Sequence, residues 1–434
     1  MIRYADRTMV RESSTSEVLG IWGHFHGGNL GDDLVVAVLI AAIRRRRSGA
    51  RIIGISMAPG DTRARHAVET LPINPGQDIA RSGSPGSQDA RGRSDALRRV
   101  GRRVPGASRA LGLWRELRFL GRSYAALRSI DRLVVAGSGQ IQDVWGPWTH
   151  PYTTFRWALL ARLARVEMAL PSVGVGPIKS RMSGLLIRKS VEWARFVSVR
   201  DEGSARVLRT IGVRRQLAMC PDMAWAYVAS KPEGDPPKGA RTVVGVNVMP
   251  HQDPRYWPNG DQSWYREHTR KMASFVANLL RHGDRVLLFS SQTRADRLVA
   301  DDLRRDLSDR GLADHAQLEW AVDRIETAEQ LVDAVSRCDY VVAARFHSVL
   351  LPLSFGIPTI GLAYQQKTVE LLAQAGQSAH CLDINSFELE ELERALEKLR
   401  AEDSPDQRAE LLGRAAKFRH AVEEQFDVLF PTQA

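Results

Sequence analysis

Cysteine is scarce in this chain of 434 residues: Cys220, Cys338 and Cys381 are the only three, too far apart for a disulfide framework or a CxxC pair. That suits a reducing compartment. Long apolar runs are missing too. The longest, residues 34–43, has ten members, against the ~20 needed to cross a bilayer. The first seventeen residues are mostly polar and charged, and the arginine cluster at 44–47 follows that run, whereas a secretory signal places its positive charge first. The expectation is a cytoplasmic protein. Lysine is rare beside arginine, 8 against 53, a bias that weakens any reading of arginine as selected for phosphate contact. What is present is ordinary: 44% hydrophobic and 26% charged residues, close to the globular average, which excludes a wholly disordered or fibrous chain.

The net charge of +11 is concentrated rather than spread. Between residues 81 and 128, twelve arginines face only Asp89, Asp95 and Glu116, a local excess of nine. The remainder is close to neutral, so no basic face spans the molecule as a dedicated nucleic-acid binder would need. Residues 76–110, rich in Gly, Ser, Pro and Arg, lack periodicity and read as a mobile insert. Beyond them Leu113, Leu117, Leu120, Tyr124 and Leu127 recur at helical spacing among Arg115, Arg118, Arg122 and Arg128, the pattern of a basic amphipathic helix.

Elsewhere short apolar strands alternate with helical patterns. Strands are expected at 18–22, 51–57, 132–136, 167–175 and 196–199, and again at 243–248, 285–290, 340–343 and 359–362. This alternation predicts parallel sheets covered on both faces. The stretch KPEGDPPKGA at 231–240 marks a boundary. The expected organisation is an N-terminal α/β domain over 1–235 that carries the arginine-rich insert at about 76–128. A C-terminal α/β domain over 241–385 and a helical segment over 386–434 follow. In such sheets ligands bind beyond the carboxyl ends of the strands, so the chemistry is to be sought in the turns that follow them.

Three turns stand out. The first, residues 23–33, is rich in glycine but fits neither the dinucleotide fingerprint nor the Walker A spacing. It can bring backbone NH groups close to an anion, or it is a tight turn capped by Asn29 or Asp32. His24 and His26 have no third ligand nearby, so no metal is expected. The second turn places Arg200 at a strand end, with Asp201 as the N-cap of the next helix. Arg200 can grip a carboxylate or phosphate through two parallel hydrogen bonds, or pair with Glu202 or Asp201. In the third, Arg345 and His347 follow the buried strand 338–344. Arg345 suits an anion, and His347 suits proton exchange near neutral pH or a cap of the helix start.

Taken together, GGNLGDD (27–33), DRLVVAGSGQIQD (131–143), VGVGP (173–177), SVRDEGS (198–204), PDMAW (221–225) and ARFHSVLLPLSFGIPTIGLAYQQK (344–367) resemble the polysaccharide pyruvyl transferase family. The resemblance implies two Rossmann-like domains facing a central cleft, similar to the two-domain GT-B type glycosyltransferase fold. It also implies transfer of the enolpyruvyl unit of phosphoenolpyruvate onto two hydroxyls of a saccharide, possible without a cofactor. On that resemblance Arg200, Arg345 and His347 form the donor-binding and catalytic set, and Asn29, Asp32, Asp222 and Lys367 match further substrate-binding positions. The chain departs from the family pattern at Gly137-Ser138-Gly139-Gln140 and at His24-Phe25-His26, changes that bear on the acceptor side or on loop geometry.

Two other functions fit the same architecture. One is a nucleotide-sugar-dependent glycosyltransferase, with Glu370 as the acid for a ribose. The other is a saccharide- or membrane-binding relative that has lost the chemistry. The arginine-rich insert and its helix also suit contact with an anionic membrane surface beside a lipid-linked acceptor, or a solvated insert whose helix packs on the first domain.

Overall fold

The computed structural model describes residues 16–25, 28–76, 107–137, 139–227, 241–257 and 259–431, without the side chains of 107–111. Most of the expected insert (77–106), the linker stretch (228–240), His26, Gly27 and Ser138 lie outside the described residues.

Two parallel sheets carry the fold. The first holds β1 (Val18–Trp22), β2 (Arg51–Ser56), β3 (Glu69–Pro72), β4 (Arg132–Val135), β5 (Glu167–Val173), β6 (Phe196–Val199) and β7 (Ala218–Met219), in the order β3-β2-β1-β4-β5-β6-β7. The second holds β8 (Val243–Asn247), β9 (Arg285–Phe289), β10 (Leu318–Glu319), β11 (Tyr340–Ala343), β12 (Thr359–Ala363) and β13 (Cys381–Asp383), in the order β10-β9-β8-β11-β12-β13. In each sheet the winding direction reverses beside its first strand, between β1 and β4 and between β8 and β11. These are the switch points at which doubly wound sheets open a crevice.

The helices of the first half are α1 (Leu30–Arg46), α2 (Pro59–His66), α3 (Ala107–Leu127), α4 (His150–Ala164), α5 (Arg181–Trp193) and α6 (Glu202–Thr210). Those of the second are α7 (Gln262–Arg281), α8 (Ala295–Asp309), α9 (Ala328–Ser336), α10 (Phe346–Ser354), α11 (Gln366–Gln374), α12 (Leu389–Glu402) and α13 (Pro405–Leu429). The strands are buried on both faces, which explains their continuous apolar runs: Leu133 and Val135 of β4 enter one core and Val134 another. The edge strands β3, β7, β10 and β13 have two to four residues, too few to show a period in sequence.

One apolar cluster runs through both halves. It takes in Leu34, Val38 and Leu39 of α1, Leu331 and Val335 of α9, Val349 and Leu353 of α10, and Val422 and Phe426 of α13. The lobes are therefore joined by a shared core. The last two helices part company: α12 packs on α7 and β12 of the second lobe, whereas α13 crosses back to the first. There Gln425 Nε2 donates to Ser172 Oγ at 3.0 Å, Ser198 Oγ donates to Gln425 Oε1, and Arg46 pairs with Glu423 and Asp427.

Candidate active site

The turns singled out in the sequence meet at one cavity of about 320 Å³ between the carboxyl edges of the two sheets. The first lobe contributes Asn29 and Asp32 from the β1–α1 turn, Gly139 and Gln140 after β4, and Arg200 after β6. The second contributes Ser291 after β9, Arg345, Phe346 and His347 after β11, and Tyr364 and Lys367 after β12. A larger hollow of about 560 Å³ beside β9 and β10 collects none of these residues.

Local geometry shows why each side chain is where it is. Asn29 is the N-cap of α1: Gly31 NH donates to its Oδ1 at 3.1 Å, while its Nδ2 donates to Asp32 Oδ2 at 2.9 Å. The cap also ties the lobes, since Leu30 NH donates to the Ser291 carbonyl at 2.8 Å. Gly31 cannot be larger, because a Cβ there would lie 1.9 Å from Nδ1 of His347. His347 thus fits against a notch in the first turn of α1. Arg200 has a similar berth: a Cβ on Gly174 would come within 2.5 Å of its guanidinium.

The two arginines are held by buried carboxylates. Arg200 Nη1 donates to Asp222 Oδ2 at 2.7 Å, its Nε reaches Asp201 at 3.3 Å, and its guanidinium lies over the Phe346 ring, 4.0 Å from the centroid. The other oxygen of Asp222 lies 3.7 Å from His347 Nε2 and accepts from Ala224 NH at 3.0 Å. Burial pushes the Asp222 carboxyl up, but His347, Arg200 and the Ala224 amide outweigh it and hold the group well below the usual carboxylate range. Arg345 Nε donates to both oxygens of Asp296, at 2.9 and 3.0 Å, and its Nη2 to Oδ1. Burial opposes the charge on Arg345, yet its attraction to and hydrogen bonds with Asp296 hold it firmly protonated. Asn247, at the end of β8, accepts from Arg345 NH at 3.3 Å and donates to the Phe289 carbonyl, fixing the strand end from which Arg345 projects.

Lys367 is different. Among the described residues it makes no ion pair, and its ammonium lies 6.0 Å from the ring centroids of both Phe346 and Tyr364. Burial, with Arg200 and Arg345 nearby and only partly offset by Asp32, lowers it to about 8. It is the cation here most in want of an anion. Opposite, the His24 and His150 rings lie against each other, tilted by 37° with centroids 4.1 Å apart. Burial and the neighbouring His150 bring His24 down to about 3, and burial lowers His150, so this wall is neutral. Gln140 fastens it, accepting from His24 NH at 3.0 Å and donating to the Ala136 carbonyl at 2.9 Å.

Six of the seven residues singled out in the sequence line the cavity. Asp222 does not: it is 2% exposed and stands behind Arg200 and His347, where it can orient them but not touch a ligand. Asn29, not Asp32, is the cap. Glu370, the acid considered for a ribose, faces away, accepting from Gly203 NH at 3.1 Å and from Arg206 at 2.9 Å. Asp296, Asn247, Tyr364 and His150 went unnoticed in sequence. Asp296 is separated from Arg345 by 49 residues, and no local spacing announces such a pair.

Architecture and site together define a two-domain α/β protein with a cationic cavity at its paired switch points. Residues 29–366 match the family described as polysaccharide pyruvyl transferase, and the chain belongs to that family. It is 19% identical over 277 residues to the amylovoran biosynthesis protein AmsJ of Erwinia amylovora, covering 60% of this chain and 63% of that protein, so the match spans less than two thirds of the relative. Among solved structures, Anabaena Alr3699/HepE in complex with UDP-glucose superposes with a TM-score of 0.56 at 11% identity, covering 96% of this chain and 100% of the other. The S. aureus MnaA-UDP structure gives 0.53 at 10% identity, covering 95% and 96%. At such identities the likeness is one of fold, and the fold is that of the GT-B type enzymes.

Proposed function

We propose that this protein transfers the enolpyruvyl unit of phosphoenolpyruvate onto two hydroxyls of a saccharide, forming a pyruvate ketal during assembly of a cell-surface or extracellular polysaccharide. The observation that carries the reading is the convergence of Arg200, Arg345 and Lys367, from both lobes, on the cavity that also holds His347. Phosphoenolpyruvate bears a carboxylate and a phosphate, and a site for it needs several fixed cationic donors. Arg200 and Arg345 are fixed by Asp222 and Asp296, whereas Lys367 makes no ion pair among the described residues and Asp32 and Asp201 only partly offset its burial.

The reaction needs a proton delivered to the methylene carbon, which makes the adjoining carbon electrophilic. The first sugar hydroxyl adds there and gives up its proton. Departure of phosphate restores the electrophile, and the second hydroxyl closes the ketal, its proton leaving with the phosphate. His347 is the group in the cavity suited to carry the proton from hydroxyl to methylene, with Asp222 as its positioning residue. No metal or organic cofactor enters this scheme. The nucleotide-sugar reading loses the acid it relied on, because Glu370 is committed elsewhere.

We place the reaction in the cytoplasm, on a saccharide acceptor carried by a lipid. Among the described residues no helix is long and apolar enough to cross a membrane. The test is phosphate release from phosphoenolpyruvate across a panel of lipid-linked and synthetic saccharides, with His347→Ala and Arg345→Ala alongside. Release that depends on the saccharide and fails in both variants supports the reading. Turnover that requires a nucleotide-sugar, or that survives both substitutions, overturns it.

A further inference from the structure

The outward surface of α3 has no place in the chemistry above, and its side chains sort into three strips. Phe119, Ser123 and Leu127 are buried on the side that meets α4, where Glu116 pairs with Arg156 at 2.9 Å and Phe119 lies edge-on to Trp157. The apolar stripe expected in sequence therefore divides: Leu120 and Leu127 pack on the core, whereas Leu113, Leu117 and Tyr124 face outward. Leu113 is 62% exposed, Leu117 58% and Trp114 54%, with Tyr124 beside them. At 100° per residue these occupy one arc of the helix, and the exposed Arg115, Arg118 and Arg122 occupy the next. The two arcs touch where Arg118 lies over the Trp114 ring, 5.3 Å from its centroid.

A second observation extends the apolar strip toward the cavity. Glu116, one helical turn from Leu113, accepts from Tyr152 OH at 3.1 Å, and Tyr152 meets Trp148 edge-on at 5.8 Å. Trp148 is 69% exposed, and Trp145, three residues before it, is half exposed and lines the cavity. These tryptophans do not stand on a loose loop. Asp143 accepts from Lys179 NH and Ser180 NH at 2.9 and 2.8 Å, and its own carbonyl accepts from Gly146 NH at 2.8 Å. Glu116 and Tyr152 thus tie the arginine-edged apolar strip of α3 to Trp148 and Trp145, and together these make up a ledge beside the cavity.

We propose that this ledge docks on an anionic membrane surface. Leu113, Trp114, Leu117 and Trp148 would enter the headgroup boundary, and Arg115, Arg118 and Arg122 would meet its negative charge. Exposed apolar side chains bordered by cations on one helix are the composition of an interfacial element, and tryptophan favours that boundary. Charge separates this occupant from a second copy of the chain, whose own ledge would bring arginines against arginines. The docking does not depend on the transfer reaction. Only the benefit of holding the cavity mouth near a lipid-linked acceptor rests on that reading.

The test is co-sedimentation of the full chain with vesicles of phosphatidylcholine alone and with added phosphatidylglycerol. Two triple variants serve as comparisons: Leu113→Ser with Leu117→Ser and Trp148→Ser, and Arg115→Glu with Arg118→Glu and Arg122→Glu. All three proteins are first matched by thermal melting. The expected result is salt-sensitive pelleting with anionic vesicles that drops by about tenfold or more in each variant. Equal, negligible pelleting of the parent chain with both vesicles overturns the proposal, as does undiminished pelleting of either variant. A parent chain that is dimeric by light scattering and becomes monomeric in the serine variant also overturns it, since a second copy would then cover the ledge. Binding is read without turnover, so failure here and failure of the proposed chemistry are told apart.

Discussion

Arg200 of the first lobe lies over the ring of Phe346 of the second, 4.0 Å from its centroid. The same ring faces Lys367 at 6.0 Å, so one aromatic side chain from the start of α10 keeps two of the three cavity cations company. A cation over a desolvated ring gains ~1–2 kcal/mol, without drawing on the guanidinium edges that a ligand would use. Phe346→Leu is expected to raise the KM for phosphoenolpyruvate about five- to tenfold while Phe346→Tyr stays near the parent value. Equal KM values in both variants would mean that the stack does not hold Arg200.

Gly31 makes an unusual stability prediction. Alanine in place of a helical glycine ordinarily gains ~1 kcal/mol, but here the new methyl would meet the His347 side chain at 1.9 to 2.6 Å. Gly31→Ala should instead lose ~1–3 kcal/mol, as overpacking does. The control is His347→Gly in the same background, which removes the whole opposing side chain and should return the melting temperature to that of His347→Gly alone or above it. A Gly31→Ala protein as stable as its parent would show that the notch is not tight.

Asp222 is expected to act without touching the ligand. Asp222→Asn removes the charge that faces both Arg200 and His347, and breaking a buried pair in this way costs on the order of 3 kcal/mol. Denaturant unfolding reads the stability. Steady-state kinetics should show a fall in kcat larger than the rise in KM, and a pH profile altered in shape. An unchanged profile with only lowered stability would reduce Asp222 to a structural role.

Lys367 is expected to set the pH dependence of donor binding. It is lowered from its ordinary 10.5 to about 8, so it is charged below pH 8 and neutral above. Affinity for a phosphate-bearing ligand should therefore fall as pH rises through about 8, and Lys367→Met should flatten that limb. The stability effect has the opposite sign. The charged form is disfavoured in the folded state relative to the unfolded chain, so the parent protein loses stability below pH 8 and recovers it between about 8 and 10.5. Lys367→Met should melt higher than the parent at pH 7, with a narrower gap near pH 10. A pH-independent affinity in the parent would contradict this assignment.

How far the sequence reaches is clear at particular residues. Asn29, Arg200, Arg345 and His347 were legible because each follows a strand, and in parallel sheets the carboxyl ends are where loops converge. Of the partners that fix them, Asp201 beside Arg200 was legible and the distant ones were not. Asp296 sits on α8 beyond a different strand from Arg345, and Asp222 precedes a single 3-10 turn, Met223–Ala226, so neither pairing leaves a periodic trace. The return of α13 to the first lobe was hidden for the same reason: Gln425 meets Ser172 across 253 residues. On α3 the helical period was readable, but which stripe packs depended on α4 and on Trp157, which sequence spacing does not place. The short edge strands escaped because two to four residues cannot show alternation.

The central claim is that Arg200 and Arg345, from opposite lobes, hold one molecule of phosphoenolpyruvate. Calorimetric titration of that compound into the parent protein, Arg200→Ala, Arg345→Ala and the double variant measures it most directly. Each single variant should lose at least ~2 kcal/mol of binding free energy, as for charge-assisted contacts, and the double variant clearly less than the sum of the two. Parent-like affinity in either single variant, or losses that simply add, would contradict it.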